Sequence, residues 1–146
     1  MTRSSLATSL LLMTVLAGCA TQGVAQPASQ PTGSAKVTTA SGLVFETMVA
    51  GSGSAPKATD TVKVHYRGTF LDGREFDSSH KRGQPTEFPL NRVIPCWTEA
   101  VQLMRPGGKA KITCPPAIAY GERGAGSVIP PNTTLNFEIE LISVAR

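Results

Sequence analysis

Residues 134–144 read TLNFEIELISV. Leu135, Phe137, Ile139 and Leu141 alternate with Asn136, Glu138 and Glu140. Successive side chains of an extended chain point to opposite faces, so a period of two predicts a strand with one buried face. The same period runs through TVKVHYRGTF, residues 61–70, with Val62, Val64 and Tyr66 on one face and Lys63, His65 and Arg67 on the other. GLVFETMV (42–49) and KAKITC (109–114) are shorter strand candidates. REFDS (74–78) follows Leu71-Asp72-Gly73. Asp-Gly is a strong hairpin signal, so this segment is expected to pair with 66–70. Against about five strands stands one helical stretch, CWTEAVQLM (96–104). There Trp97, Ala100, Val101 and Met104 share a helical face, Pro95 suits the first turn, and Arg105-Pro106-Gly107-Gly108 ends it. The plan is α+β: an antiparallel sheet with one short helix laid across it, burying the only tryptophan of the chain.

The chain has 146 residues, enough for one ordinary domain. Its start has a different character. One positive charge, Arg3, precedes an apolar run that ends LLLMTVLAGC. The run is short for a spanning helix and suits a secretory signal. Leu16-Ala17-Gly18-Cys19 resembles the bacterial lipobox, which implies cleavage before Cys19 and lipid on that cysteine. Ala20, where an aspartate would mark retention at the inner membrane, implies sorting to the outer membrane. Residues 20–40 are rich in Ala, Thr, Gln, Pro, Ser and Gly and carry no aromatic side chain. Such a segment buries too little apolar surface to offset its ordering entropy. The expected organisation is a signal peptide over 1–18, a flexible linker over 19–40 and a folded domain over 41–146. The expected location is the bacterial cell envelope, on the outer membrane and facing the periplasm.

The 14 basic and 10 acidic residues give a net charge of +4 and are scattered, with no basic run longer than Lys81-Arg82. Nucleic-acid binding is therefore not expected. His65 and His80 are the only histidines, and neither C-x-x-C nor H-x-x-x-H spacing occurs, so neither a metal site nor a cofactor is expected. No G-x-S-x-G is present. Of three cysteines, two remain once Cys19 is lipidated, and an even remainder in an oxidising compartment reads first as a disulfide between Cys96 and Cys114. A catalytic thiol at Cys96 is the competing reading, set against the burial expected beside Trp97. Apolar and aromatic residues recur beside special backbone points instead: Tyr66, Phe76-Asp77, Val93-Ile94, Trp97, Tyr120-Gly121, Ile129-Pro130-Pro131 and Phe137.

Three stretches carry a resemblance: VKVHYRGTFLDGREFDSSHKRGQPTEFPL, VIPCWTEAVQLMRPGGKAKI and PPAIAYGERGAGSVIPPNTTLNFEIELISV. With Tyr-x-Gly, Phe-Asp-Ser, Val-Ile-x-x-Trp, Ala-Tyr-Gly and Ile-Pro-Pro in this order, the chain resembles the FKBP family of peptidyl-prolyl cis-trans isomerases over nearly all of 42–146. The resemblance implies a twisted antiparallel sheet wrapped around one short helix, with a pocket between them. It implies Trp97 as the pocket floor and Tyr66, Phe76, Val93, Ile94 and Phe137 as walls. It further implies that the Ile94 N–H and the Tyr120 hydroxyl hold substrate carbonyls, and that Asp77 sits at the rim with Tyr66 and Arg82. Val128 and Ile129 join Arg82 and Val93 as expected substrate contacts. The implied partners are proline-containing polypeptides and macrolides of the tacrolimus and rapamycin type. Larger relatives carry an N-terminal helical dimerisation region; residues 20–40 are too short and polar for one, so a monomer is expected. A chaperone or interaction module that grips proline segments on the same fold, and a surface-exposed virulence factor that binds host proteins, are the alternatives. Cys96 stands where Gly is common in the family, Ala125 where His is frequent, and Thr86 where a larger apolar residue is frequent. The last two fall at the pocket edge and bear on substrate preference and macrolide affinity.

Overall fold

The computed structural model describes residues 34–146. Residues 1–18, expected as a signal peptide, Cys19 and most of the segment expected as a linker lie outside the described residues. Within them the chain runs β1 (Lys36–Thr38), β2 (Val44–Val49), β3 (Thr61–Phe70), β4 (Glu75–Ser78), β5 (Thr86–Pro89), α1 (Pro95–Gln102), β6 (Lys109–Cys114) and β7 (Leu135–Ala145). Short 3-10 turns span Leu90–Arg92 and Pro116–Ile118. The seven described strands make one antiparallel sheet in the order β1-β2-β6-β7-β3-β4, with β5 also paired to β3.

Alternation sets the two long central strands. On β7, Leu135, Phe137, Ile139 and Leu141 are buried; on β3, Val62, Val64 and Tyr66 are buried. The two strands pair along their length, from Thr61 opposite Ala145 to Phe70 opposite Leu135. A register shift between Lys63 and Val64 accommodates one extra residue of β7. The hairpin from β3 to β4 closes where Asp-Gly occurs: Gly73 takes φ +86°, and its N–H donates to the Phe70 carbonyl at 3.0 Å. That positive φ suits glycine, which has no Cβ to clash.

Two strands exceed the five expected. β1 lies inside the segment assigned to the linker, so the sheet begins at Lys36 rather than at residue 41. All three β1 residues are exposed, so backbone pairing to β2 holds them and no hydropathy pattern marks them. β5 is four residues long, too short for alternation to register.

α1 begins with Pro95 at its first turn, and Ile94 supplies the N-cap. Eight residues are too few for a helix to persist alone in water. Tertiary contacts hold it: Cys96, Trp97, Ala100 and Val101 are all buried, and Met104, just past its end, is buried as well. Thr98 Oγ1 donates to the Leu90 carbonyl at 2.6 Å, joining the helix to the turn before it. Cys96 and Cys114 are disulfide-bonded with Cα atoms 5.8 Å apart, joining the helix to the end of β6. Both are fully buried, so neither is a free thiol facing a pocket.

The edge of β3 away from β7 is divided. β5 pairs with Thr61–Val64 and β4 with Arg67–Thr69, which leaves a gap at His65 and Tyr66. Ser79 fills it. Its N–H donates to the Tyr66 carbonyl at 3.0 Å, and its Oγ accepts from the Tyr66 N–H at 2.8 Å. Ser79 is fully buried, so these bonds complete backbone groups that water cannot reach. The same hydroxyl lies 2.9 Å from His65 Nδ1, and the His65 ring stacks on His80 at 4.6 Å.

The disulfide spans a sequence separation of 18 residues. Closing a loop of that size restricts the unfolded chain by about 3 kcal/mol in the loop-entropy model. Replacing both cysteines by alanine, or reducing the bond, is expected to lower the unfolding free energy by roughly 2–4 kcal/mol. Urea unfolding of oxidised, reduced and doubly substituted protein checks this; equal midpoints would refute it.

Candidate active site

Trp97 sits in the first turn of α1 with its indole facing the sheet side chains and 5% of its surface exposed. Three rings meet it nearly at right angles: Tyr66 at 5.2 Å, Phe88 at 5.5 Å and Phe137 at 5.4 Å between centroids. Edge-to-face contacts of this kind place positive ring edges against a negative ring face. They fix the indole as the floor of a cavity of about 320 Å³. Phe76, Phe88, Val93 and Ile94 add apolar wall, and Tyr66 and Phe137 extend the aromatic cluster. Asp77, Arg92 and Tyr120 bring polar groups to the same cavity.

Phe76 reaches the wall because of a local irregularity. Gly68 pairs with Asp77 and Thr69 with Glu75, so Phe76 is the extra residue of a bulge. Its ring packs edge-on against Phe137 at 5.6 Å and crosses over Gly68. A Cβ at Gly68 would lie 2.5 Å from Phe76 Cζ. The glycine of the Tyr-x-Gly motif is thus required by space for the ring.

Asp77 follows on the bulged strand. The Tyr66 hydroxyl donates to Asp77 Oδ2 at 2.5 Å, and Arg82 Nη1 donates to Oδ1 at 2.6 Å. Arg82 Nη2 also donates to the Tyr66 hydroxyl at 2.8 Å, closing a three-membered network, and reaches Thr86 at 3.3 Å. Burial alone would raise the Asp77 carboxyl, but the hydrogen bonds from Tyr66 and Arg82 and the guanidinium charge outweigh it and hold it below the usual carboxylate range. Burial, then the bond to Asp77, raises the Tyr66 phenol. Arg82 does not line the cavity; it braces Asp77 and Tyr66 from the loop that follows β4.

The Ile94 carbonyl caps α1 by accepting from the N–H groups of Trp97 and Thr98, while its own N–H donates to no group among the described residues. Tyr120 follows the turn Pro116–Ile118 and lines the cavity while 38% exposed. Burial, and then the charge of Asp77, raise its phenol above the ordinary value, so it remains a neutral donor.

The structure thus gathers Tyr66, Phe76, Asp77, Val93, Ile94, Trp97, Tyr120 and Phe137 around one cavity. Val128 and Ile129, expected as substrate contacts, do not line it. The loop folds back through hydrogen bonds between Ala125 and Ile129, which turns Ile129 into the core at 4% exposure and leaves Val128 outside at 55%. Phe88 and Arg92 line the cavity and were not anticipated. Phe88 sits in a strand too short to show a period, and the available signal was an aromatic four residues before Arg92-Val93-Ile94 in a chain with few rings. Arg92 looked like one of many scattered charges.

Comparison with known proteins gives this arrangement a family. Residues 52–142 match the model of the FKBP-type peptidyl-prolyl cis-trans isomerase. The chain belongs to this family. An FKBP-type peptidyl-prolyl cis-trans isomerase FkpA of Aeromonas hydrophila is 56% identical over 108 residues, which are 74% of this chain and 40% of that protein. The FKBP-type 22 kDa isomerase of Escherichia coli is 54% identical over 106 residues, 73% of this chain and 52% of that one. The crystal structure of Escherichia coli FkpA superposes with a TM-score of 0.73 at 49% identity, covering 75% of this chain and 51% of that one. A peptidyl-prolyl cis-trans isomerase of Pseudomonas syringae gives 0.72 at 40% identity, covering 81% of this chain and 84% of that one. The chain spans about half the length of the curated relatives it matches. This FKBP fold is the α+β plan read from the sequence, a sheet with one short helix.

The lowered Asp77 carboxyl has a pH signature. A carboxyl depressed in the folded state stabilises it fully above the ordinary Asp value of 3.8 and loses that contribution as pH falls through the folded value. Asp77→Asn should therefore destabilise the domain at neutral pH, with a gap to wild type that narrows as the pH drops below 3.8. Thermal unfolding of both proteins across pH reads the gap; a gap independent of pH would refute the assignment.

Proposed function

We propose that this chain accelerates cis–trans isomerisation of X–Pro bonds in polypeptides, above all in exported proteins as they fold. The observation that carries the reading is an apolar cavity floored by Trp97 whose wall includes two uncommitted donors, the Ile94 N–H and the Tyr120 hydroxyl. Rotation about the X–Pro bond must break amide resonance, with a barrier of about 18–20 kcal/mol. The planar amide is more dipolar than the twisted one. Apolar aromatic walls solvate the planar form less well than water does, which narrows the difference between the two. Donors that grip the carbonyls flanking the bond add stabilisation when the cavity fits the twisted peptide better than the planar one. No proton need leave Asp77; bonded to Tyr66 and Arg82, it fixes the orientation of the Tyr66 ring beside the floor.

The reading includes a location. The order of Arg3, apolar run, small residues and Cys19 supports a lipid anchor on that cysteine, with Ala20 supporting the outer membrane and a periplasm-facing domain on a tether. A buried disulfide fits an oxidising compartment. A monomer is proposed, with macrolides of the tacrolimus and rapamycin type as inhibitors competing for the Trp97 cavity.

Refolding of a proline-limited substrate protein tests the activity. Wild type should accelerate the slow phase. Tyr120→Phe should lower kcat/KM by about two- to tenfold, the worth of one hydrogen bond, with the melting temperature unchanged. No acceleration by wild type would leave a proline-binding module as the reading. Intact mass of the membrane-extracted protein tests the anchor: a diacyl or triacyl addition on a chain starting at Cys19 is expected, and the mass of an unmodified chain from Met1 would overturn it.

A further inference from the structure

The cavity wall carries two charged side chains, Asp77 and Arg92, and they are differently committed. Asp77 is consumed by Arg82 at 2.6 Å and by the Tyr66 hydroxyl at 2.5 Å. Arg92 enters no ion pair and no side-chain hydrogen bond among the described residues. It is exposed and ends the 3-10 turn Leu90–Arg92, two residues before Ile94. Its backbone is not free to wander, because Leu90 is fully buried and its carbonyl accepts from Thr98 of α1. The mouth of this largely aromatic and aliphatic cavity thus presents one anchored, unpaired cation close to an unused backbone donor.

We propose that Arg92 is a specificity-determining residue that favours substrates with an acidic side chain next to the proline. The inference rests on the isomerase reading for its kinetic consequence. A substrate whose proline ring lies over Trp97 and whose carbonyl meets the Ile94 N–H has its neighbouring residues only about 3.8 Å apart along the chain, so a flanking side chain comes within reach of the guanidinium. Asp77 does not counter the attraction, since Arg82 already neutralises it. A flanking carboxylate gains a partner and a flanking ammonium meets a like charge. The pair forms at an exposed rim, so its worth is that of a surface ion pair and it is screened by salt. Guanidinium geometry allows two parallel bonds to a carboxylate, which lysine at this position would not offer.

Short peptides bearing Glu, Gln or Lys immediately before or after one proline provide the test. Glu and Gln differ in charge at nearly constant shape, so their ratio isolates the electrostatic part. At low salt, wild type should favour Glu over Gln by about two- to fivefold in kcat/KM on at least one side of the proline, and disfavour Lys. The preference should collapse near 1 M salt, where the screening length is about 3 Å. Arg92→Gln should abolish the Glu-to-Gln ratio and Arg92→Glu should invert it in favour of Lys, whatever happens to the overall rate. Peptide affinity, followed by the fluorescence of the single tryptophan Trp97, gives the same ratios without turnover. If wild type binds these peptides with the expected ratios but accelerates none of them, the isomerase reading fails and this one stands. A Glu-to-Gln ratio that is flat in wild type, or unchanged in Arg92→Gln, overturns it.

Discussion

The fold and the site depend on one ring. Trp97 is met edge-on by Tyr66 from β3, Phe137 from β7 and Phe88 from β5. These contacts seat a helix of eight residues that could not persist by itself. They also leave the indole as the floor of the cavity. A residue that both anchors the only described helix and floors the site ties the shape of the site to the stability of the core. The disulfide reinforces the same joint from the neighbouring position, since Cys96 precedes Trp97 and ends at β6.

The polar half of the site obeys a second constraint. A carboxylate at the rim of an apolar cavity is unfavourable unless it is bonded. Asp77 meets that requirement through Tyr66 and Arg82, and its own position depends on the bulge that turns Phe76 into the wall. Gly68 makes room for that ring. Side chains from β3, from β4 and from the loop after it are therefore mutually dependent, although each is unremarkable as a separate letter in the chain.

Some of this was legible in the amino-acid order. β3 and β7 are long, half-buried strands, and a period of two over ten residues or more is hard to mistake. The helix face around Trp97 was readable for the same reason. β1 and β5 were not, because strands of three and four residues are too short for a side-chain period to register. The cavity residues came through motif resemblance, which carries tertiary information that periodicity lacks. Resemblance also pointed to Val128 and Ile129, which the local folding of the loop keeps off the cavity lining, burying Ile129 and exposing Val128. Phe88 and Arg92 belong to the site only through the approach of β5 and the following turn to α1, a fact of three-dimensional proximity.

Ser79 occupies the interval on β3 between two short partner strands and satisfies the backbone there by itself. The sheet is therefore sealed at Ser79, before the chain departs toward β5. Residues 80–85 lie beyond that seal and include Arg82, which reaches back to the rim. Within that segment Lys81 pairs with Glu75 of β4, His80 stacks on His65 of β3 and Gly83 takes φ +69°, while any change that moves Arg82 is transmitted to Asp77 and Tyr66. The scaffold thus closes at Ser79, and the rim network of Asp77 and Tyr66 takes its third member from a loop that has no place in the sheet.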